Sequence, residues 1–141
     1  MKVLFASLLL GLATLAVPAI AEDADATMTV QFLEIVTPSV EETCALLAKT
    51  HGVTFSEPVA EIGNSRTASL IGGGRISVRA PMRDTETPVV RPYLLVDDIH
   101  AAVKAAEAAG AVIAMPPMPI PDQGTFSIYI LGGIEHGLWQ N

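Results

Sequence analysis

Residues Pro88 to Ile113 read PVVRPYLLVDDIHAAVKAAEAAGAVI, and this stretch decides the fold. Val89 to Val96 is apolar and β-branched enough to predict a strand. Asp97 and Asp98 stop it, and the Asp98 carboxylate suits a helix N-cap because it can accept from the first unpaired backbone N–H groups. Ile99, Ala102, Val103 and Ala106 follow at helical spacing and give one apolar stripe. Gly110 ends the helix, and a new apolar run, Ala111 to Met115, begins at once. The unit is strand, helix, strand, with tight joints.

Working outward, the same order recurs upstream. Met28 to Thr37 reads as a strand closed by Pro38. Ser39 and Glu42 form an S-x-x-E capping box for a helix over Val40 to Thr50, ended by Gly52. A short strand is expected around Val53 to Phe55. Ser65 to Ile71 and Arg75 to Ala80 read as a hairpin about Gly72-Gly73-Gly74, and the proline-bounded segment from Pro81 to Pro88 as a linker. Downstream, Ala111 to Met115 is followed by PPMPIP, then by strands over Thr125 to Ile130 and Glu135 to Gln140 about Gly132-Gly133. One interval separates both Phe32 from Arg91 and Val40 from Ile99, so the pattern is a duplicated half-domain, with modules 28–81 and 88–141.

Residues 1–21 stand apart from this pattern. Lys2, the apolar run Val3 to Val17 and Ala19-Ile20-Ala21 make a secretory signal peptide with a small-x-small cleavage site, too short for a convincing membrane span. Residues 22–27 (EDADAT) read as a flexible leader. Export to the periplasm or the medium is the expectation, with no membrane association after cleavage.

The chain has 141 residues, 8 Lys and Arg against 15 Asp and Glu, and a formal net charge of −7. Cleavage leaves about 120 residues, enough for one domain with one core. The acidity, with scattered basic residues, leaves no footprint for nucleic acid. Cys44 is the single cysteine. It has no partner for an internal disulfide, and it shares an apolar helix stripe with Val40 and Leu47, which predicts a buried structural thiol.

Two copies of βαβββ in about 120 residues resemble the vicinal oxygen chelate superfamily, the glyoxalase and bleomycin-resistance group. The residues that carry the resemblance are Tyr93 to Asp98 with the Ala-rich helix and Gly110-Ala111, the ending Gly137-Leu138-Trp139-Gln140, and Glu34 to Pro38 before the first helix. The resemblance implies an α+β fold: tandem modules forming a curved mixed sheet, helices on the outer face and a cleft on the inner face. Superfamily members include lyases, dioxygenases, epimerases and binding proteins, so the fold does not fix the function.

Strand alternation assigns the faces independently. Leu33, Ile35, Ile76, Val78, Leu94, Val96 and Leu138 should lie beneath the helices. The opposite face carries Phe32 and Glu34, Ser77 and Arg79, Arg91 and Tyr93, and Glu135, Gly137 and Trp139. Three aromatics beside two arginines and two glutamates suit a ligand cleft with apolar walls and a few placed polar groups. A homodimer interface or a filled core is the competing explanation. Glu34 or Glu135 would serve the two arginines in the free protein, until a ligand anion displaces it.

Metal-dependent members of the superfamily place ligands at positions that align with Phe32, Ser77, Arg91 and Gly137. Phe and Gly offer no side-chain donor and Arg stays protonated, so no metal and no other cofactor is expected. His51, His100 and His136 form no recognisable catalytic arrangement. The expected function is therefore that of an exported, metal-free protein binding a small organic molecule, anionic by the argument from the arginines. Catalysis is the alternative: a glyoxalase-like lyase or dioxygenase-type activity using a displaced site of Glu34, Glu135 and His136, or a Glu base. A structural module dimerising through its inner face is the second alternative.

Overall fold

The computed structural model describes residues 27–141. The signal peptide over 1–21 and all of the leader but Thr27 lie outside the described residues. β1 (Val30–Val36) leads into α1 (Val40–His51), then a 3-10 turn (Ala60–Ile62), β2 (Arg66–Ser69) and β3 (Arg75–Arg79). The second module runs β4 (Val89–Leu95), α2 (Ile99–Ala108), β5 (Val112–Ile120), β6 (Gly124–Leu131) and β7 (Ile134–Gln140).

All seven strands belong to one mixed sheet in the order β2-β3-β1-β4-β7-β6-β5. Within each module the first and last strands pair in parallel, β1 with β3 and β4 with β7. The modules join through the antiparallel pair β1–β4, with Phe32 opposite Tyr93 and Glu34 opposite Arg91. This is the α+β architecture of tandem βαβββ-like modules that the sequence pattern implies. α1 packs against β3, and α2 packs against β5, β6 and β7.

The local devices explain the boundaries. Asp98 Oδ1 accepts from the backbone N–H of His100 at 2.9 Å and of Ala101 at 3.0 Å. Gly52 takes a left-handed conformation (φ 67°) and its N–H closes onto Ala48 O, a geometry that favours glycine. Ser39 does not cap α1: its side chain makes no capping bond, and its own N–H is taken by Thr37 Oγ1 at 3.1 Å, so the expected capping box with Glu42 is not formed.

Two strand expectations need correction. Val53 to Phe55 forms no strand. Two apolar residues, Val53 and Phe55, ahead of Glu57-Pro58 are too few to build a ladder, and Pro58 has no N–H to donate to one. The chain instead touches β2 through Ser56 N–H to Thr67 O and a lone bridge between Val59 and Ser65. β5 does not stop at Met115 but continues to Ile120, through three prolines. It is an edge strand pairing only with β6, where an outward-facing proline costs no ladder bond, and its register shifts on both sides of Met115, passing over Pro116 and Pro117.

The two sheet faces differ in burial. Val78 and Leu138 are buried beneath the helices, while Leu33, Ile35, Ile76, Leu94 and Val96 are half-buried. The other face is sealed more tightly. Phe32, Ile62, Tyr93 and Trp139 form its core cluster, with Val59, Ile120, Phe126 and Ile128 against it.

Candidate functional site

The inner face is floored by aromatic rings held in fixed relation. Phe32 and Trp139 stack at 4.8 Å, and Tyr93 meets them edge-on at 5.7 and 6.1 Å. Gly137 is what admits Tyr93: a Cβ at position 137 would lie 2.3 Å from the Tyr93 ring. The competing explanation of a filled core is thus half right, because these rings are buried within one chain and also form a floor. Above them opens a cleft of about 570 Å³. Its walls come from β5 and β6 (Met115, Met118, Phe126) and from the segments around Ile62 and Met82. No residue of either helix lines it, so the helices lie on the far face.

A chain of charged groups crosses the floor. Arg79 donates from Nε to Glu34 Oε1 at 2.6 Å and meets Glu86 end-on, Nη1 to Oε2 at 2.9 Å and Nη2 to Oε1 at 2.7 Å. Arg91 donates from Nη1 to Glu34 Oε2, and from Nε and Nη2 to Glu135 Oε2. The Tyr93 hydroxyl also donates to Glu34 Oε2, at 3.1 Å. The order is Glu86, Arg79, Glu34, Arg91, Glu135. Burial pushes the Tyr93 phenol above its ordinary pKa, and the neighbouring Glu34 carboxylate adds to that. Burial alone would weaken the charge on Arg79 and Arg91; Glu86 and Glu34 around Arg79, and Tyr93, Glu135 and Glu34 around Arg91, more than offset it and hold both firmly protonated.

All eight site residues expected from the alternation lie on this face, but they do not act as one set. Phe32, Glu34, Arg79, Arg91, Tyr93, Glu135 and Trp139 line the cleft. Ser77 does not: it is fully buried at the β1–β3 seam opposite Glu34, and its hydroxyl has no hydrogen-bond partner among the described residues. The arginines are not served by Glu34 or Glu135 alone. Both glutamates serve them, and Glu86 is a third acceptor, read in the sequence only as part of a linker. Arg75, two positions before Ser77 on the same face, was also passed over. The methionines and prolines of the cleft wall carried no signal, because their placement depends on where β5 lies in the sheet.

The four positions aligned with superfamily metal ligands do not fit a metal. Phe32 is stacked on Trp139, Arg91 is committed to two carboxylates, and the space a side chain at Gly137 would use is filled by the Tyr93 ring. A displaced set of Glu34, Glu135 and His136 fails as well. The two glutamates grip Arg91, while His136 points to the opposite face and stacks on Tyr129 at 5.0 Å. Among the described residues no group of three His, Cys, Asp or Glu is placed to hold a metal ion. Cys44 is buried as expected, and burial pushes its thiol up in pKa.

No family model and no curated protein matches the chain by sequence. Solved structures do match. A hypothetical protein from Bacillus halodurans C-125 superposes with a TM-score of 0.64 at 11% identity, over 82% of this chain and 96% of the other. Methylmalonyl-CoA epimerase from Mycobacterium tuberculosis gives 0.61 at 14%, over 78% and 85%. A variant of the Streptomyces coelicolor methylmalonyl-CoA epimerase, in complex with 2-nitronate-propionyl-CoA, gives 0.59 at 14%, over 79% and 96%. At such identities the likeness establishes architecture and not activity. The chain has the vicinal oxygen chelate fold, the fold of the glyoxalase superfamily.

Proposed function

We propose that this protein binds a small organic acid in the inner cleft, without a resident metal and outside the cytoplasm. The apolar part of the ligand lies against the Met and Phe walls, and its carboxylate takes the place of Glu135 on Arg91. One observation carries this reading: the ion chain is closed at every member but one. The Glu34, Arg79, Glu86 and Arg91 side chains are between 6% and 13% exposed, whereas Glu135 is 43% exposed. A pair with a wet partner is worth only about 0–1 kcal/mol. Exchanging one carboxylate for another on Arg91 leaves the charge of the floor unchanged, and released Glu135 returns to water. Arg91 also keeps further N–H groups on Nη1 and Nη2, each of which donates only once among the described residues. The acyl-CoA compound bound by one structural relative supports including thioesters among the ligands tried.

Glu135→Gln separates this reading from its competitors better than truncation of Arg91, which would take one of its two guanidiniums from buried Glu34 and disturb folding. A panel of small organic acids and their thioesters is titrated while following the fluorescence of Trp139, the single tryptophan, on the cleft floor. The expected result is saturable binding of at least one acid, tightened about threefold to tenfold by Glu135→Gln because the competing charge is gone. A panel that leaves the emission unchanged would overturn the reading. So would weaker binding by the variant, which would mean that the ligand uses Glu135 itself.

A further inference from the structure

A third guanidinium of the inner face, that of Arg75, lies outside the ion chain. Arg75 opens β3 on the inner face, opposite Phe32 in register. Its Cζ lies 5.5 Å from the Phe32 ring centroid and 5.9 Å from that of Trp139. From the turn between β5 and β6, Gln123 Oε1 accepts from Arg75 Nη1 at 2.6 Å. The aromatic pair and the amide thus fix the group from two sides. Arg75 is half-buried, and that burial lowers its pKa from the ordinary guanidinium value without discharging it.

What sets Arg75 apart is its counter-charge. Arg66, Arg79 and Arg91 each pair with a carboxylate, and Arg83, which pairs with none among the described residues, is exposed to solvent where Arg75 is half-buried. Arg75 pairs with none among the described residues, and its bond to Gln123 is its single side-chain hydrogen bond there. A partly desolvated cation without a counter-ion is unfavourable, and ring faces with one amide oxygen compensate it incompletely. Moreover, the bond to Gln123 uses Nη1 and leaves the Nε–Nη2 edge unengaged. That edge presents two parallel N–H groups, the arrangement that grips a planar carboxylate or two phosphate oxygens.

We propose that Arg75 is the anchor of an oxyanion site, for a carboxylate or phosphate group, separate from the Arg91–Glu135 end of the cleft. Phe32 and Trp139 hold the guanidinium, Gln123 takes one flank, and the free edge takes the anion. Nothing in this assignment depends on what the cleft binds.

The test uses inorganic phosphate and acetate at low ionic strength, with chloride as the control for non-specific screening. Trp139 emission is the readout because the guanidinium lies over its ring. Wild type should give a saturable change with at least one of the two anions. Arg75→Gln should abolish the change or weaken it tenfold or more. Arg75→Lys, which keeps the charge but loses the paired edge, should weaken it severalfold. A wild-type response no greater than that of chloride overturns the proposal, as does an Arg75→Gln titration that matches wild type. Should Arg75→Gln fail to fold by circular dichroism, Arg75→Lys decides, and an unchanged affinity there overturns it.

Discussion

Glu86→Gln reaches the inner end of the ion chain. Glu86 lies in the segment between β3 and β4, where its two oxygens receive the end-on pair from Arg79 and Oε2 also accepts the Met82 N–H at 2.7 Å. Hydrogen bonds from the Arg79 guanidinium are the main cause that lowers its pKa from an ordinary 4.5 to about 2, against an opposing push from burial. One pKa unit corresponds to about 1.4 kcal/mol, so the full difference is worth about 3 kcal/mol at neutral pH. Removing one partner of a buried pair costs about 3–5 kcal/mol, but Arg79 keeps Glu34, which puts the expectation at about 2–3 kcal/mol. For a domain of this size that is a Tm lowered by roughly 8–12 °C. The dependence on pH is the sharper test. The folded-state pKa lies below the unfolded one, so the stabilisation is complete above about pH 4.5 and fades as pH falls toward 2. Thermal unfolding of wild type and variant, followed by circular dichroism from pH 7 to pH 2, should show a gap that closes over this range. A gap under about 2 °C at pH 7, or one that stays constant to pH 2, would refute the charge argument.

Gly137→Ala should destabilise the fold by about 2–3 kcal/mol, since the added methyl meets the Tyr93 ring and that ring is wedged between Phe32, Phe126 and Trp139. An unchanged Tm with an unchanged near-ultraviolet circular dichroism spectrum would show that the ring is free to move aside. On the reading of residues 1–21 as a cleaved signal peptide, the mature protein should begin at Glu22 by intact-mass measurement. A species retaining Met1 to Ala21 in the membrane fraction would make this an anchored protein instead.

The second module was the more legible half because each of its joints carries its own local chemistry. Asp98 caps, Gly110 turns, and Gly132-Gly133 closes the last hairpin, so the order of elements follows without knowledge of the partners. The face assignment was legible for the same reason: period-two alternation placed Phe32, Glu34, Arg91, Tyr93 and Trp139 together before any register was known. Where an outcome depended on tertiary position, local reading failed. PPMPIP looks like a loop until it is known to occupy a sheet edge, and Val53 to Phe55 looks like a strand until Pro58 denies it a ladder. Glu86 sits in a polar linker with no periodicity, so nothing nearby marks it as the partner of Arg79. Arg75 was accessible to the same alternation that gave Ser77 and Arg79. It was missed because the separation of satisfied from unsatisfied cations needs the hydrogen bonds themselves.

The arrangement of the floor links folding to recognition. Three carboxylates alternate with two guanidiniums, so the chain carries one negative charge in excess. A buried excess charge is unfavourable unless one member stays in water. That member is Glu135, at the outer end. The inner end does different work. Glu34 on β1 and Arg91 on β4 are register partners across the seam that joins the modules, and Glu86 ties the connecting segment to Arg79 on β3. Substitutions at Glu86, Arg79 or Glu34 should therefore register first in stability, because they unpair charges inside the joint between the modules. A substitution at Glu135 should register first in binding, because it alters only the end that exchanges with solvent. One continuous chain of ion pairs thus holds the duplicated halves together and leaves its one loosely held carboxylate, Glu135, at the outer end.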